Sequence, residues 1–126
     1  MNDNLNLKKK LSKLAFDVTQ NCSTERAFSG EFYDFFEDGT YHCICCEEKL
    51  FSSNHKFLSK SGWPSFYKAI DDSVIKYTED NTYGMTRIEV SCNRCNAHLG
   101  HVFDDGPLPT NKRYCINSVS LKFKRK

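Results

Sequence analysis

Two cysteine knuckles, Cys43-x-x-Cys46 and Cys92-x-x-Cys95, constrain this chain more than any other feature, because only a folded domain can bring them together. Two residues between a pair of cysteines let the backbone turn sharply enough to aim both sulfurs at one ion, and Zn²⁺ prefers four thiolates in a tetrahedron. The spacing predicts one zinc ion per chain on Cys43, Cys46, Cys92 and Cys95. Its role is structural, since four thiolates leave no open coordination position. The competing reading, disulfides or buried thiol pairs, needs an oxidising compartment that nothing in the sequence suggests. Cys45 complicates the first knuckle, yet as a ligand it offers only the tighter spacings Cys43-x-Cys45 and Cys45-Cys46. Cys22, Cys45 and Cys115 are therefore left over, and a structural zinc site does not explain them.

A chain of 126 residues is the length of one domain and should bury about two thirds of its unfolded surface, enough for a modest core. The glycines are scattered, no Pro/Gly/Ser-rich stretch marks a boundary, and residues 1–126 are expected to form a single domain. No apolar run approaches the roughly 20 residues of a membrane span, and Met1 to Lys10 lacks the apolar segment of a secretory signal. The expectation is a cytoplasmic protein that acts as a monomer without membrane or nucleic-acid partners. Its net charge is only +2, and its basic clusters, Lys8-Lys9-Lys10 and Lys122 to Lys126, sit at the ends as solvated tails.

Leu7, Leu11, Leu14, Ala15 and Val18 recur at helical spacing, which predicts an amphipathic helix over residues 5–19. Beyond residue 39 the chain reads as mostly β. Thr40 to Cys43 is a short strand entering the first knuckle, Val74 to Thr78 a strand, Glu79-Asp80-Asn81 a turn, and Met85 to Ser91 a strand entering the second knuckle. Alternation puts Met85, Arg87, Glu89 and Ser91 on one face of that strand and Thr86, Ile88 and Val90 on the other. After the turn-rich Asp104 to Pro107, the segment Arg113 to Phe123 alternates throughout, so Arg113, Cys115 and Asn117 share a face with Val119, Leu121 and Phe123.

An arginine, a thiol and an amide on one face make a poor hydrophobic core. Cys115 is the nucleophile candidate, because Arg113 two residues before it can lend positive charge to a thiolate; a small buried hydrophobe is the alternative. A low-pKa thiol of this kind should be alkylated quickly at mildly acidic pH. His98 and His101 have no place on a completed four-thiolate ion, and imidazoles near a thiol suit proton transfer near neutral pH. Trp63, between Gly62 and Pro64, is either a core plug or an apolar wall.

Together these segments resemble the methionine-(R)-sulfoxide reductases, the B type of peptide methionine sulfoxide reductase. The likeness runs through Val18-Thr19-Gln20, Thr24-Glu25, Phe28 to Glu31, the first knuckle with Leu50-Phe51, Gly62 to Phe66, Glu89-Val90 with the second knuckle, Ala97 to Phe103, Asp105 to Pro107 and Arg113 to Ser118. The resemblance implies a mainly β fold of two small antiparallel sheets with an N-terminal helical segment and a structural zinc site. It further implies an oxidoreductase of oxidative-stress repair that reduces methionine-R-sulfoxide, free or in proteins, with thioredoxin or a similar reductant as electron donor.

Carried over residue by residue, the resemblance puts the nucleophile at Cys115 and the imidazole pair at His98 and His101. Asn117 falls where the family hydrogen-bonds near the sulfoxide, Arg113 and Asp105 where it orients and polarises the site, and Trp63 where it contacts the substrate methyl. One position departs from the pattern. Many members carry a resolving cysteine immediately before Gly-Trp-Pro-Ser-Phe, but here that residue is Ser61, which cannot form a disulfide. Cys22 stands where some relatives place a substitute, and Cys45 beside the knuckle is the weaker candidate. A zinc-bearing docking module and a nucleic-acid-binding zinc ribbon would both account for the knuckles, but neither requires Cys115, the two histidines or Trp63.

Overall fold

The computed structural model describes residues 7, 9–81 and 84–126. Helix α1 (Lys13–Asn21) leads into strands β1 (Gly39–Cys43), β2 (Lys49–Ser52), β3 (Lys56–Phe57), β4 (Ser65–Phe66), β5 (Ile75–Asp80), β6 (Arg87–Cys92), β7 (His98–Phe103), β8 (Arg113–Ile116) and β9 (Leu121–Arg125). They form a three-stranded sheet of order β2-β1-β9 and a six-stranded sheet of order β3-β4-β8-β7-β6-β5. Every pairing is antiparallel, so the mainly β architecture of two sheets with an N-terminal helix is observed.

The two knuckles are built alike. Each closes a hairpin, β1–β2 in the small sheet and β6–β7 in the large one. In the first, the Cys43 N–H donates to Glu48 O and the Glu47 N–H to Cys43 O; in the second, the Cys92 N–H donates to Ala97 O and the Asn96 N–H to Cys92 O. Glu47 and Asn96 take the left-handed conformation at φ 66° and 65° that reverses the chain after each second cysteine. Each hairpin then slips register at the equivalent place, leaving Leu50 and Leu99 as extra residues in β2 and β7.

The core lies between the sheets and is aromatic. Tyr41, Phe51 and Phe66 are fully buried, with Phe51 stacked on Phe66 at 4.4 Å between ring centroids. Val90, Leu99, Ile116 and Leu121 complete it.

Three expectations are corrected. Residues 5, 6 and 8 of the helix expected over 5–19 lie outside the described residues, and the described remainder is not one continuous helix. Ser12 adopts an extended backbone and caps α1, its hydroxyl accepting from the Ala15 N–H at 3.1 Å. The restart turns Ala15, Val18 and Thr19 inward and leaves Leu14 44% exposed. Asp80 is the last residue of β5 rather than part of a turn, because its pairing with Arg87 extends the β5–β6 ladder. The alternating run Arg113–Phe123 is two strands. A 3₁₀ turn at Ser118–Ser120 breaks it and hands the chain from the large sheet to the small one.

Candidate active site and four-cysteine cluster

Cys43 and Cys92 are buried, and all four knuckle thiols converge, with Sγ atoms within 4.8 Å of one another. Cys43 Sγ lies 3.6 Å from Cys95 Sγ, and Cys46 Sγ 3.6 Å from Cys92 Sγ. Thiolates around one tetrahedral zinc at about 2.3 Å stand about 3.8 Å apart, whereas a disulfide needs about 2.05 Å. The donor set therefore fits a metal ion and not a pair of disulfides. Cys45 remains outside the cluster, its Sγ accepting from Gln20 Nε2 at 3.5 Å.

Of the remaining sequence candidates, Trp63, His101, Arg113, Cys115 and Asn117 meet in a cleft of about 270 Å³ that Thr24, Ser61, Arg87 and Phe103 also line, while His98, Asp105 and Cys22 stand outside its lining. Strand β8 turns Tyr114 and Ile116 into the core and leaves Arg113 and Cys115 half-buried on the cleft side. Cys115 sits directly opposite His101 of β7, which sits opposite Glu89 of β6.

On a regular strand, residues three apart face opposite sides, so His98 and His101 could not both face this region. The bulge at Leu99 resets the phase. Leu99 turns into the core beside Gly100, and the two imidazoles meet edge to face at 5.7 Å between ring centroids. Asn117 pins the bulge: Leu99 O accepts both the Asn117 N–H at 2.9 Å and Asn117 Nδ2 at 3.0 Å. Gly100 is required beside it, since a Cβ there would lie 2.0 Å from Cys115 O.

Each imidazole is oriented by a carboxylate that the sequence reading did not single out. His98 Nδ1 donates to Glu89 Oε2 at 2.7 Å, and His101 Nε2 to Asp80 Oδ2 at 2.8 Å. Asp80 also accepts from Arg87 Nη2 at 3.2 Å. The alternation that grouped Arg87, Glu89 and Ser91 on one face was the available signal for Glu89; Asp80 was hidden by its reading as a turn residue. His98 is 4% exposed and lines an adjoining cavity of about 470 Å³ with Cys22, Ser23, Thr24, Asp80, Arg87, Glu89 and His101.

Trp63 proves to be a wall of the cleft, its Nε1 donating to Glu25 O at 3.0 Å. Asn117 borders the cleft, yet both ends of its amide are engaged, Nδ2 with Leu99 O and Oδ1 with the Glu25 N–H at 2.9 Å. It anchors the Glu25 segment through Oδ1, while Nδ2 commits one of its two N–H donors to Leu99 O. Arg113 grips Asp105 through Nε and Nη2 at 2.9 and 3.2 Å and lies 4.5 Å from the Phe103 ring centroid. That contact holds the Asp105 carboxyl below the usual carboxylate range.

Cys115 Sγ donates to Ser61 Oγ at 3.8 Å. Burial pushes this thiol above its ordinary value, and Ser61 and Arg113 offset the rise only in part. Desolvation outweighing the arginine's charge in the free protein argues against quick labelling at mildly acidic pH. His101 moves the other way, burial lowering it against the opposing pull of Asp80. Cys22 is exposed at the C-terminal cap of α1, its Sγ 3.9 Å from Glu89 Oε2. Glu89 itself stands two strand spacings of about 4.8 Å from Cys115.

The arrangement defines a class: a small two-sheet β domain stapled by four cysteines, with a thiol and two carboxylate-held imidazoles at a cleft. The SelR domain family matches residues 11–125. A peptide methionine sulfoxide reductase MsrB of Thioalkalivibrio sulfidiphilus is 55% identical over 118 residues, covering 94% of this chain and 86% of that protein. MsrB of Escherichia coli is 52% identical over 117 residues, covering 93% of this chain and 85% of the relative. Methionine-R-sulfoxide reductase B3, mitochondrial, of Mus musculus is 53% identical over 117 residues, but this chain spans only 46% of its length. A crystal structure of a Mis18 'Yippee-like' domain shares the fold at a TM-score of 0.56 and 19% identity, over 71% of this chain and 98% of that one. This chain belongs to the SelR domain family, that of the B-type methionine sulfoxide reductases.

If Arg113 supports the thiolate as its place suggests, Arg113→Met will shift the pH dependence of Cys115 alkylation by iodoacetamide to higher pH. An unchanged profile in that variant would remove Arg113 from the electrostatics of the thiol.

Proposed function

We propose that residues 1–126 form one methionine-(R)-sulfoxide reductase domain, in which Cys115 reduces methionine-R-sulfoxide to methionine. The observation that carries the reading is the placement of Cys115 on β8 directly across from His101 on β7, both lining a cleft walled by Trp63 and Phe103, within a chain of this family. A sulfoxide offers an electrophilic sulfur, a basic oxygen and a methyl group. The cleft has a counterpart for each: a sulfur nucleophile, an imidazole proton donor and an aromatic wall.

The Cys115 thiolate attacks the sulfoxide sulfur while His101 protonates the oxygen. The attack joins the two sulfurs, with the hydroxyl still on the substrate sulfur; the hydroxyl then passes to the Cys115 sulfur as the substrate's sulfur–oxygen bond and the new sulfur–sulfur bond both break, releasing methionine and leaving Cys115 as a sulfenic acid. His98, held by Glu89, supports proton supply from the adjoining cavity, and Arg113 with Asp105 fixes the cleft floor beside the thiol. Asn117 acts by holding the histidine-bearing bulge. The raised thiol and lowered imidazole favour the neutral pair in the free protein. Reaction therefore draws on the thiolate–imidazolium form, which a bound sulfoxide oxygen, accepting a hydrogen bond from the imidazolium, would stabilise.

Recycling falls to Cys22 in this proposal. Its thiol attacks the Cys115 sulfenic acid, water leaves, and thioredoxin or a similar dithiol reduces the resulting disulfide. Cys22 touches Glu89 on β6, two strands from Cys115 on β8, so in this proposal the segment after α1 swings inward to bring the two Cα atoms within about 7 Å, as a disulfide needs. The same thiols must be kept reduced between turnovers, as in a cytoplasmic compartment. No helix among the described residues is long and apolar enough to cross a membrane.

The first test uses the separated sulfoxide epimers with dithiothreitol. The R epimer should turn over and the S epimer should not, Cys115→Ser should lose activity by more than about a thousandfold, and His101→Ala by about 10²–10⁴-fold. Near-normal turnover by Cys115→Ser would overturn the reading.

Cys22→Ser should retain dithiothreitol-driven activity and lose most thioredoxin-driven turnover. Mass spectrometry after one turnover should find Cys22 joined to Cys115; a Cys45–Cys115 bond, or none, would refute Cys22 as the resolving thiol.

The four-cysteine cluster is proposed to hold one structural Zn²⁺. Elemental analysis should find one zinc per folded chain, and Cys92→Ser should lose the metal together with the cooperative thermal transition. Folded protein free of zinc would rule the assignment out.

A further inference from the structure

Away from the knuckles, a second set of metal-ligand atoms converges: Cys22 Sγ, Glu89 Oε2 and His98 Nδ1 all lie within 4.8 Å of one another. We propose that these three residues form a second, three-ligand site for Zn²⁺, distinct from the four-cysteine cluster. Tetrahedral zinc with one sulfur, one nitrogen and one oxygen ligand at about 2.0–2.3 Å sets its donors about 3.3–3.7 Å apart. Here Cys22 Sγ stands 3.9 Å from Glu89 Oε2, Glu89 Oε2 stands 2.7 Å from His98 Nδ1, and Cys22 Sγ lies within 4.8 Å of His98 Nδ1, so shifts of about 1 Å bring the set into range.

The site is half built in advance. His98 and Glu89 come from adjacent strands β7 and β6, and the hydrogen bond between them already holds the two donor atoms side by side. Cys22 supplies the third donor from the exposed end of α1, where a small movement closes the set. The fourth position opens into the cavity of about 470 Å³, whose walls also carry Asp80 and His101. A thiolate, an imidazole and a carboxylate with one open position suit zinc rather than magnesium or calcium, which prefer oxygen ligands. Bound there, the ion replaces the hydrogen-bonded proton between His98 and Glu89 and ties down Cys22. Zinc would then block disulfide recycling reversibly, a consequence that rests on the proposed resolving role of Cys22; the site itself does not.

The test uses the folded protein with its four-cysteine cluster filled with zinc and its thiols kept reduced by a phosphine. Titration with Co²⁺ should add one ion per chain and raise a thiolate-to-metal charge-transfer band, with no zinc released from the cluster. Zn²⁺ added afterwards should bleach the band. Cys22→Ser should lose the band and the added ion while keeping the cluster zinc and an unchanged circular dichroism spectrum. Glu89→Gln should weaken binding, and Cys115→Ser should leave it intact. The site is refuted if no second ion binds, if Cys22→Ser binds as wild type does, if the band disappears in Cys115→Ser, or if Co²⁺ enters only by displacing the cluster zinc. None of these readouts depends on reductase activity, so they stand apart from failure of the functional reading.

Discussion

The convergence of four thiols from two hairpins is the constraint on which the rest of the structure depends. One knuckle belongs to the small sheet and the other to the large sheet, so the cluster fixes the sheets against each other at the ends of β1 and β6. A core of modest size gains much from such a staple, because an ion bound only by the folded chain adds its binding free energy to folding. The twin hairpins carry twin bulges, and only one of them has chemical consequences. In β2 the extra residue Leu50 fills the core; in β7 the extra residue Leu99 fills the core and also rotates His98 onto the face of His101.

From the bulge, support spreads outward through Asn117. Its side chain joins Leu99 of β7 to Glu25 of the N-terminal segment, and Glu25 O in turn receives the Trp63 indole. Glu25 is 1% exposed, and its Oε1 accepts the Val119 N–H at 3.0 Å. Burial raises its carboxyl above the ordinary range against the hydrogen bonds that lower it. The cleft's aromatic wall, its histidine-bearing strand and the turn after Cys115 therefore hang on one buried residue and one amide. Loss of either would loosen all three, since deleting one partner leaves the others buried and unpaired.

What the sequence made legible was local. The knuckle spacing needs only two intervening residues, and the strand entering each knuckle follows from short alternation, so the cluster and the hairpins could be placed before any coordinates. Cys115 and the two histidines stood out because a finished four-thiolate site had no use for them. What escaped depended on phase and on distant partners. Alternation through Arg113–Phe123 looks unbroken because the turn at Ser118–Ser120 leaves inward residues on both sides of it. The Leu99 bulge has no composition of its own, and the amide of Asn117 is held by partners 92 and 18 residues away in sequence. The charge of Arg113 was visible in the sequence, while the desolvation that outweighs it is a property of the folded cleft alone.

The departure at Ser61 also has a physical reading. Its hydroxyl sits 3.8 Å from the Cys115 sulfur and shares a network with Ser59, Ser65 and Trp63, so it belongs to the wall that solvates the thiol. In the proposed recycling through Cys22, the cost to weigh is that of moving the end of α1. Cys22 sits in the left-handed region at φ 58°, a conformation that costs a non-glycine residue about 1–2 kcal/mol. Leaving it gives up two cap hydrogen bonds to Asp17 O, from the Cys22 and Ser23 N–H groups, worth about 1 kcal/mol each. The two contributions nearly cancel, and the side chain is already exposed, so no buried apolar surface opposes the swing. In that proposal the left-handed cap adds little to the cost, and the buried Glu25, tied to Asn117 and Val119, marks where the movable stretch ends.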